Sequence, residues 1–154
     1  MRRLALLLVL LPGLAFAGPL TEREGWVVMP TDKPYQELID AVKAAVKANR
    51  YGVVTEAGPT GMARSRGIEI PGNRVIGVFN NDVAVRVLAL STAAMIEAPI
   101  RMYVTEDEGG TATLSYKTPS LVFAPYMEEG GSELGAIANE LDDAFSTIAA
   151  AAVE

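Results

Sequence analysis

Twice in this chain an apolar strand pattern runs into a capped helix pattern and then into another strand. Nothing else in the sequence restricts the fold as much. In the first unit Trp26-Val27-Val28-Met29 reads as a strand. Thr31 and Asp32 are candidate N-caps, and Pro34 suits a first helical turn. Tyr35, Leu38, Ile39, Val42, Ala45 and Val46 share one helical face, with Glu37, Asp40, Lys43 and Lys47 opposite. Gly52 ends this helix as its C-terminal glycine, and Val53-Val54 begin the returning strand. In the second unit Val75 to Phe79 is apolar nearly throughout, as in a strand covered on both faces. Asn80-Asn81-Asp82 then caps a helix running to about Ala94, with Ala84, Val87, Leu88 and Ser91 inward. Asp32 and Asp82, and Leu38 and Leu88, match at one offset. Two units obeying the same helix rules produce such a match without duplication.

The remaining segments complete an α+β pattern. Gly58-Pro59-Thr60-Gly61 is a break, Met62 to Gly67 a helical turn or loop, and Pro71-Gly72-Asn73 a turn. After Pro99, Ile100, Met102 and Val104 alternate with Arg101, Tyr103 and Thr105. Asp107-Glu108-Gly109-Gly110 turns the chain, and Ala112, Leu114 and Tyr116 alternate on the way back. Leu121 to Met127 is apolar but holds Pro125, which points to a packed loop or edge segment. Ser132, after Gly130-Gly131, caps a last helix with the stripe Leu134, Ile137, Ala138, Leu141, Phe145 and Ile148. The order β-α-β-β-α-β-β-α, with one apolar face per helix, implies a two-layer α/β sandwich.

The start of the chain reads as an export signal. Arg2 and Arg3 precede an apolar run, Leu4 to Leu14, and Ala15-Phe16-Ala17 supplies the small residues of a cleavage site. The run is shorter than the roughly 20 residues that span a bilayer. The expectation is a signal peptide over residues 1–17, cleaved after Ala17, and a periplasmic or secreted protein without stable membrane insertion. A flexible lead-in over 18–25 and one domain over 26–154 follow. Loss of Arg2 and Arg3 takes 13 basic residues to 11 against 19 acidic, a net charge near −8. That balance disfavours nucleic acid and anionic membranes as partners.

Composition excludes much chemistry. The chain has no His and no Cys. Ser-His-Asp and Cys-His catalysis are therefore absent, as are zinc sites of Cys and His. No disulfide staples the exported domain. No catalytic constellation, metal site or cofactor motif is recognisable. Glu106, Asp107 and Glu108 suit a solvated hairpin, and the scattered methionines suit core filling. Two loci stand out as ligand-binding candidates. Arg64 and Arg66, among Gly58, Gly61 and Gly67, present cations suited to an anionic group. Asn80 and Asn81 stand at a strand-to-helix junction, where backbone N–H groups also receive anions, although simple capping explains them.

Phe79-Asn80-Asn81-Asp82-Val83-Ala84 resembles the strand-to-helix junction of the DUF302 (TT1751-like) family, commonly Cys-Asn-Pro followed by a small residue. Ala98-Pro99-Ile100-Arg101-Met102-Tyr103 is similar to that family's Leu-Pro segment opening the next strand. Thr31 to Gly52 and Val53 resemble its first helix and second strand. The resemblance implies a small α+β domain, often a homodimer, and supplies no reaction. Phe79 replaces the common Cys and Asn81 the Pro, so chemistry at that Cys is not shared here.

Three functions fit this sequence. The first is a non-enzymatic binding or interaction module, homodimeric by resemblance. The second is a carrier of a small apolar or anionic ligand held between sheet and helices near Arg64, Arg66 and Asn80. The third, a carboxylate-only hydrolase or isomerase, needs two acids with pKa values pushed apart, and no pair has suggestive spacing.

Overall fold

The computed structural model describes Leu20–Glu154. The leader, its cleavage point and the first residues of the lead-in lie outside the described residues. Five strands, β1 (Trp26–Pro34), β2 (Gly52–Ala57), β3 (Asn73–Phe79), β4 (Ile100–Glu106) and β5 (Thr111–Lys117), form one antiparallel sheet. Its order is β1-β5-β4-β3-β2. The two strand–helix–strand units differ in consequence. In the first, β1 and β2 end at opposite edges of the sheet. In the second, β3 and β4 are antiparallel neighbours.

Helices α1 (Tyr35–Ala48), α3 (Asn81–Leu90) and α5 (Met127–Val153) cover one sheet face. Short helices α2 (Thr60–Ser65) and α4 (Pro119–Phe123) fill connections. The alternation in β4 and β5 decides which face is buried: Ile100, Met102, Val104, Ala112, Leu114 and Tyr116 all point under the helices. Register lines up Val27, Tyr116, Met102 and Ile76 across four strands. The last helix answers with the stripe expected from sequence, Leu134 to Ile148, buried at each of its six positions. Phe145 packs on Tyr116 with ring centroids 5.6 Å apart and planes tilted by 56°. Each such side chain contributes about 1.5–3 kcal/mol on burial, and no disulfide is needed.

Local chemistry redraws several boundaries. β1 runs through Thr31 and Asp32, which cap nothing. Thr31 Oγ1 instead donates to the Ala112 carbonyl at 2.8 Å, and Pro34 occupies the N-cap position of α1 without a side-chain bond. At the other end Arg50, not Gly52, takes the left-handed turn (φ 63°), and Gly52 opens β2. α3 stops at Leu90, short of Ala94. It buries Val83 and Val87 and leaves Leu88 half exposed, so the matched pair Leu38 and Leu88 has no structural equivalence. β3 buries Ile76 and Val78 under the helices, while on its other face Gly77 is buried and Val75 half-buried. Leu121 to Met127 is helical: Thr118 Oγ1 accepts from the Leu121 N–H at 3.3 Å, Pro119 fills the first turn, and Phe123 is buried. Gly131 (φ 58°, ψ −153°) interrupts α5 just before Ser132, where the sequence starts a helix.

Candidate functional site

The residue on which the candidate site turns is Asn80. Its Oδ1 accepts from the N–H groups of Asp82 at 3.0 Å and Val83 at 3.2 Å, which is a helix N-cap. Its Nδ2 donates to the Arg50 carbonyl at 3.3 Å. That bond ties the end of α1 to the start of α3 and uses one of the two N–H groups of the amide. Asn81 follows as the first residue of α3 and is exposed.

Beside this junction β3 and β4 meet α3 and α5 around an apolar cleft. Tyr51, Phe79, Val83, Met95, Phe123 and Phe145 line it, together with Asn80 and smaller aliphatic residues. No charged side chain contributes to the lining. The cavity measures about 30 Å³. That holds a water or a methyl group, whereas small-molecule sites run to about 300–1,000 Å³. Burial, and then the Glu140 carboxylate, raise the Tyr51 phenol above its ordinary pKa of 10.0, an effect partly offset by Arg86. Arg86 Nη1 grips both Glu140 oxygens at 3.1 and 2.9 Å. Both side chains are about half exposed, so the pair contributes at most about 1 kcal/mol.

Arg64 and Arg66 are elsewhere. Both are exposed on α2 and its C-cap, before the start of β3, while Asn80 follows the end of that strand. Seven strand residues separate the two loci, roughly 20 Å at about 3.3 Å per residue. Arg64 lines a separate hollow of about 190 Å³ with Thr60, Ile68, Glu69 and Ile70, where a carboxylate offsets the cation. The structure therefore brings Asn80 and Asn81 together and keeps both arginines apart from them. No single pocket between sheet and helices joins the four.

The acidic hairpin is internally committed. Glu106 Oε2 accepts from the Gly72 N–H at 2.6 Å, and Asp107 Oδ2 accepts from Thr113 Oγ1 at 2.7 Å. Among the described residues no three His, Cys, Asp or Glu side chains gather closely enough to hold a metal ion. Among those residues, too, no helix is long and apolar enough to cross a membrane. Sequence reasoning did not single out Tyr51 or Phe123, and it read Met95 as core filling, because apolar residues lining a cleft carry the same pattern as core residues.

The junction and cleft sit within a segment that a family model recognises. The model described as "Domain of unknown function DUF302" matches residues 27–152. The chain belongs to the DUF302 family. The DUF302 fold is also seen in a solved structure that this chain resembles, the "uncharacterized conserved protein DUF302 from Bacillus stearothermophilus". The TM-score is 0.73 at 17% identity, over 84% of this chain and 98% of the other. No curated protein matches. Where the DUF302 junction commonly has Cys, this chain has Phe79, one of the residues lining the cleft. Pro99, at the DUF302 strand opener, follows a cis peptide bond and packs against Gly77.

Proposed function

We propose that this DUF302 protein is an exported interaction module without chemistry of its own, acting as a homodimer. The observation that carries the reading is the cleft beside Asn80, an uncharged socket of about 30 Å³. It suits one protruding apolar group rather than an enclosed ligand or a reacting substrate. The same helix also turns apolar residues outward. Val85 and Leu88 on α3 are 60% and 50% exposed, and Ile96 in the next turn is 79% exposed. A helix apolar on both sides is normally covered on both. From Val83 to Ile96 the only charged residue is Arg86, already paired to Glu140. Two copies of a strongly acidic chain approach with least repulsion through such a neutral strip.

Native mass spectrometry of the protein from its own compartment tests the reading. The expected species is a dimer of chains beginning at Gly18, with no small molecule retained. Leu88→Glu combined with Ile96→Glu converts it to monomer. A wild-type monomer, or a mass that includes Met1, overturns the corresponding part. A co-purifying small molecule instead selects the carrier reading.

A further inference from the structure

The sheet face turned away from the helices carries two neighbouring cations, Arg101 and Lys117, and the exposed strand carboxylate, Asp32, stands at the far end of β1 from them. Register pairs Trp26 with Lys117 on one side. Arg101, opposite Gly77, precedes Met102, which pairs with Tyr116, so Arg101 lies next to Lys117 across the sheet. Both cations are exposed. Arg23 adds a third, its guanidinium carbon 5.1 Å from the Trp26 ring centroid, with Lys117 Nζ 5.6 Å from the same ring. Among the described residues none of the three is in an ion pair. Neighbouring strands lie about 4.8 Å apart, and like charges side by side at that spacing destabilise a sheet. The arrangement is the more unusual because acids outnumber bases in the chain. α5 alone holds Glu128, Glu129, Glu133, Glu140, Asp142 and Asp143 without one Lys or Arg.

The next row across this face supplies apolar surface. Val28, Ser115, Tyr103 and Val75 stand in register. Ser115 is fully buried while its three neighbours are half-buried, which makes a shallow trough beside the cations. Besides Asp32, Glu22 and Asp107 flank the area. Glu22 shares a hollow with Arg23 and Trp26, and Asp107 is bonded to Thr113 at the far end of β5.

We infer that this face docks an acidic segment of another protein. Its carboxylates sit on Arg101 and Lys117, and an apolar side chain lies over Val28 and Tyr103. Charge complementarity chooses this occupant. Three cations neutralise too few phosphates to hold nucleic acid against a net charge of −6. A symmetric pair of copies through this face would bring the same cations together. Head-to-tail docking onto the acidic α5 of another copy is a heterologous contact, which builds rings or filaments, and self-association is an outcome that the test below reads. The surface is separate from the outer side of α3, so this inference does not depend on dimerisation.

Trp26 is the only tryptophan, so its emission reports occupancy directly. The probe is a ten-residue peptide alternating Glu with Val, and its control has Gln for each Glu. A saturable change in Trp26 emission is expected with the Glu peptide alone. It weakens about tenfold or more in Arg101→Glu with Lys117→Glu, and also weakens at high salt. Circular dichroism checks the reversed variant. Should it unfold, the single variants Arg101→Gln and Lys117→Gln replace it, each expected to weaken binding. The inference is overturned by no saturable change, by equal response to the Gln peptide, or by undiminished response in the charge variants. Binding of anionic phospholipid vesicles or duplex DNA in place of the peptide also overturns it. So does concentration-dependent self-association that charge reversal abolishes.

Discussion

The side-chain amide of Asn80 donates to the carbonyl oxygen of Arg50 at 3.3 Å, across 30 residues of sequence. Arg50 is the described non-glycine residue with positive φ, a conformation that costs an L-residue about 1–2 kcal/mol. Asn80 thus caps α3 and holds the carbonyl of a strained turn. Asn80→Ala is expected to lose about 1–2 kcal/mol, the usual range for a lost N-cap. Asn80→Asp keeps the cap acceptor, loses only the donor to Arg50, and should recover most of that. Urea denaturation of the three proteins measures both values. Equal stability of Asn80→Ala and wild type would contradict the structural role and return Asn80 to consideration as a ligand residue.

Glu56 bridges two cations, with Lys43 Nζ 2.6 Å from Oε1 and Arg74 Nη1 3.1 Å from Oε2. The hydrogen bond from Lys43, followed by the charges of Lys43 and Arg74, outweighs partial desolvation and lowers its pKa below the ordinary 4.5. A depressed carboxylate stabilises the fold above its unfolded pKa, and the gain disappears as pH falls through the folded value. Stability from this bridge is therefore constant above about pH 5 and lost below 4.5. The pairs are partly exposed, so Lys43→Met should cost at most about 1 kcal/mol at pH 7. The same variant should lose stability less steeply on acidification. Thermal melts between pH 7 and pH 3 check this, and parallel acid profiles for both proteins would count against it.

How much of this was readable beforehand depends on whether an element is decided locally. The stripe of α5 follows helical periodicity, and it lies buried as expected. The break at Gly131 follows from glycine's tolerance of positive φ. Alternation in β4 and β5 likewise chose the correct face. Thr31 shows the opposite case. Its hydroxyl can cap a helix or bond a neighbouring strand, and the choice fell to the Ala112 carbonyl, 81 residues away. Arg50 was hidden for a related reason, since a side chain 30 residues away holds its carbonyl. For the candidate site, Asn80 was legible as a cap. The distance between it and Arg64 was not, because it depends on which end of β3 each connection leaves.

Two glycines in the connection between β2 and β3 should respond oppositely to one added methyl group. A Cβ on Gly58 would lie 2.0 Å from the Asn73 carbonyl oxygen, a backbone atom that cannot rotate away. Gly61, inside α2, has nothing within 4 Å of the same position. Gly58→Ala is expected to destabilise by about 1–3 kcal/mol, as overpacking generally does. Gly61→Ala should stabilise by up to about 1 kcal/mol, by lowering the entropy of the unfolded chain and favouring helix. Denaturant midpoints at constant slope separate the two. A loss for Gly61→Ala as large as that for Gly58→Ala would contradict the packing described for this connection.

Leu38 and Leu88 look equivalent in sequence, each six residues after an aspartate. In the fold Leu38 is fully buried on the inner side of α1, whereas Leu88 is 50% exposed on the outer side of α3. The difference arises because Asp32 lies in a strand and Asp82 in the first turn of a helix, so the count to each leucine starts from a different phase. Leu38→Ala leaves a cavity and should cost about 2–5 kcal/mol. Within one folded chain Leu88→Ala should change stability by no more than about 0.5 kcal/mol. If α3 faces a second copy, the Leu88→Ala loss grows with protein concentration, since association stabilises by mass action. Melts at micromolar and hundred-micromolar protein distinguish the cases. A Leu88→Ala loss as large as that of Leu38→Ala, and independent of concentration, would show that Leu88 is part of the monomer core and refute its outward placement.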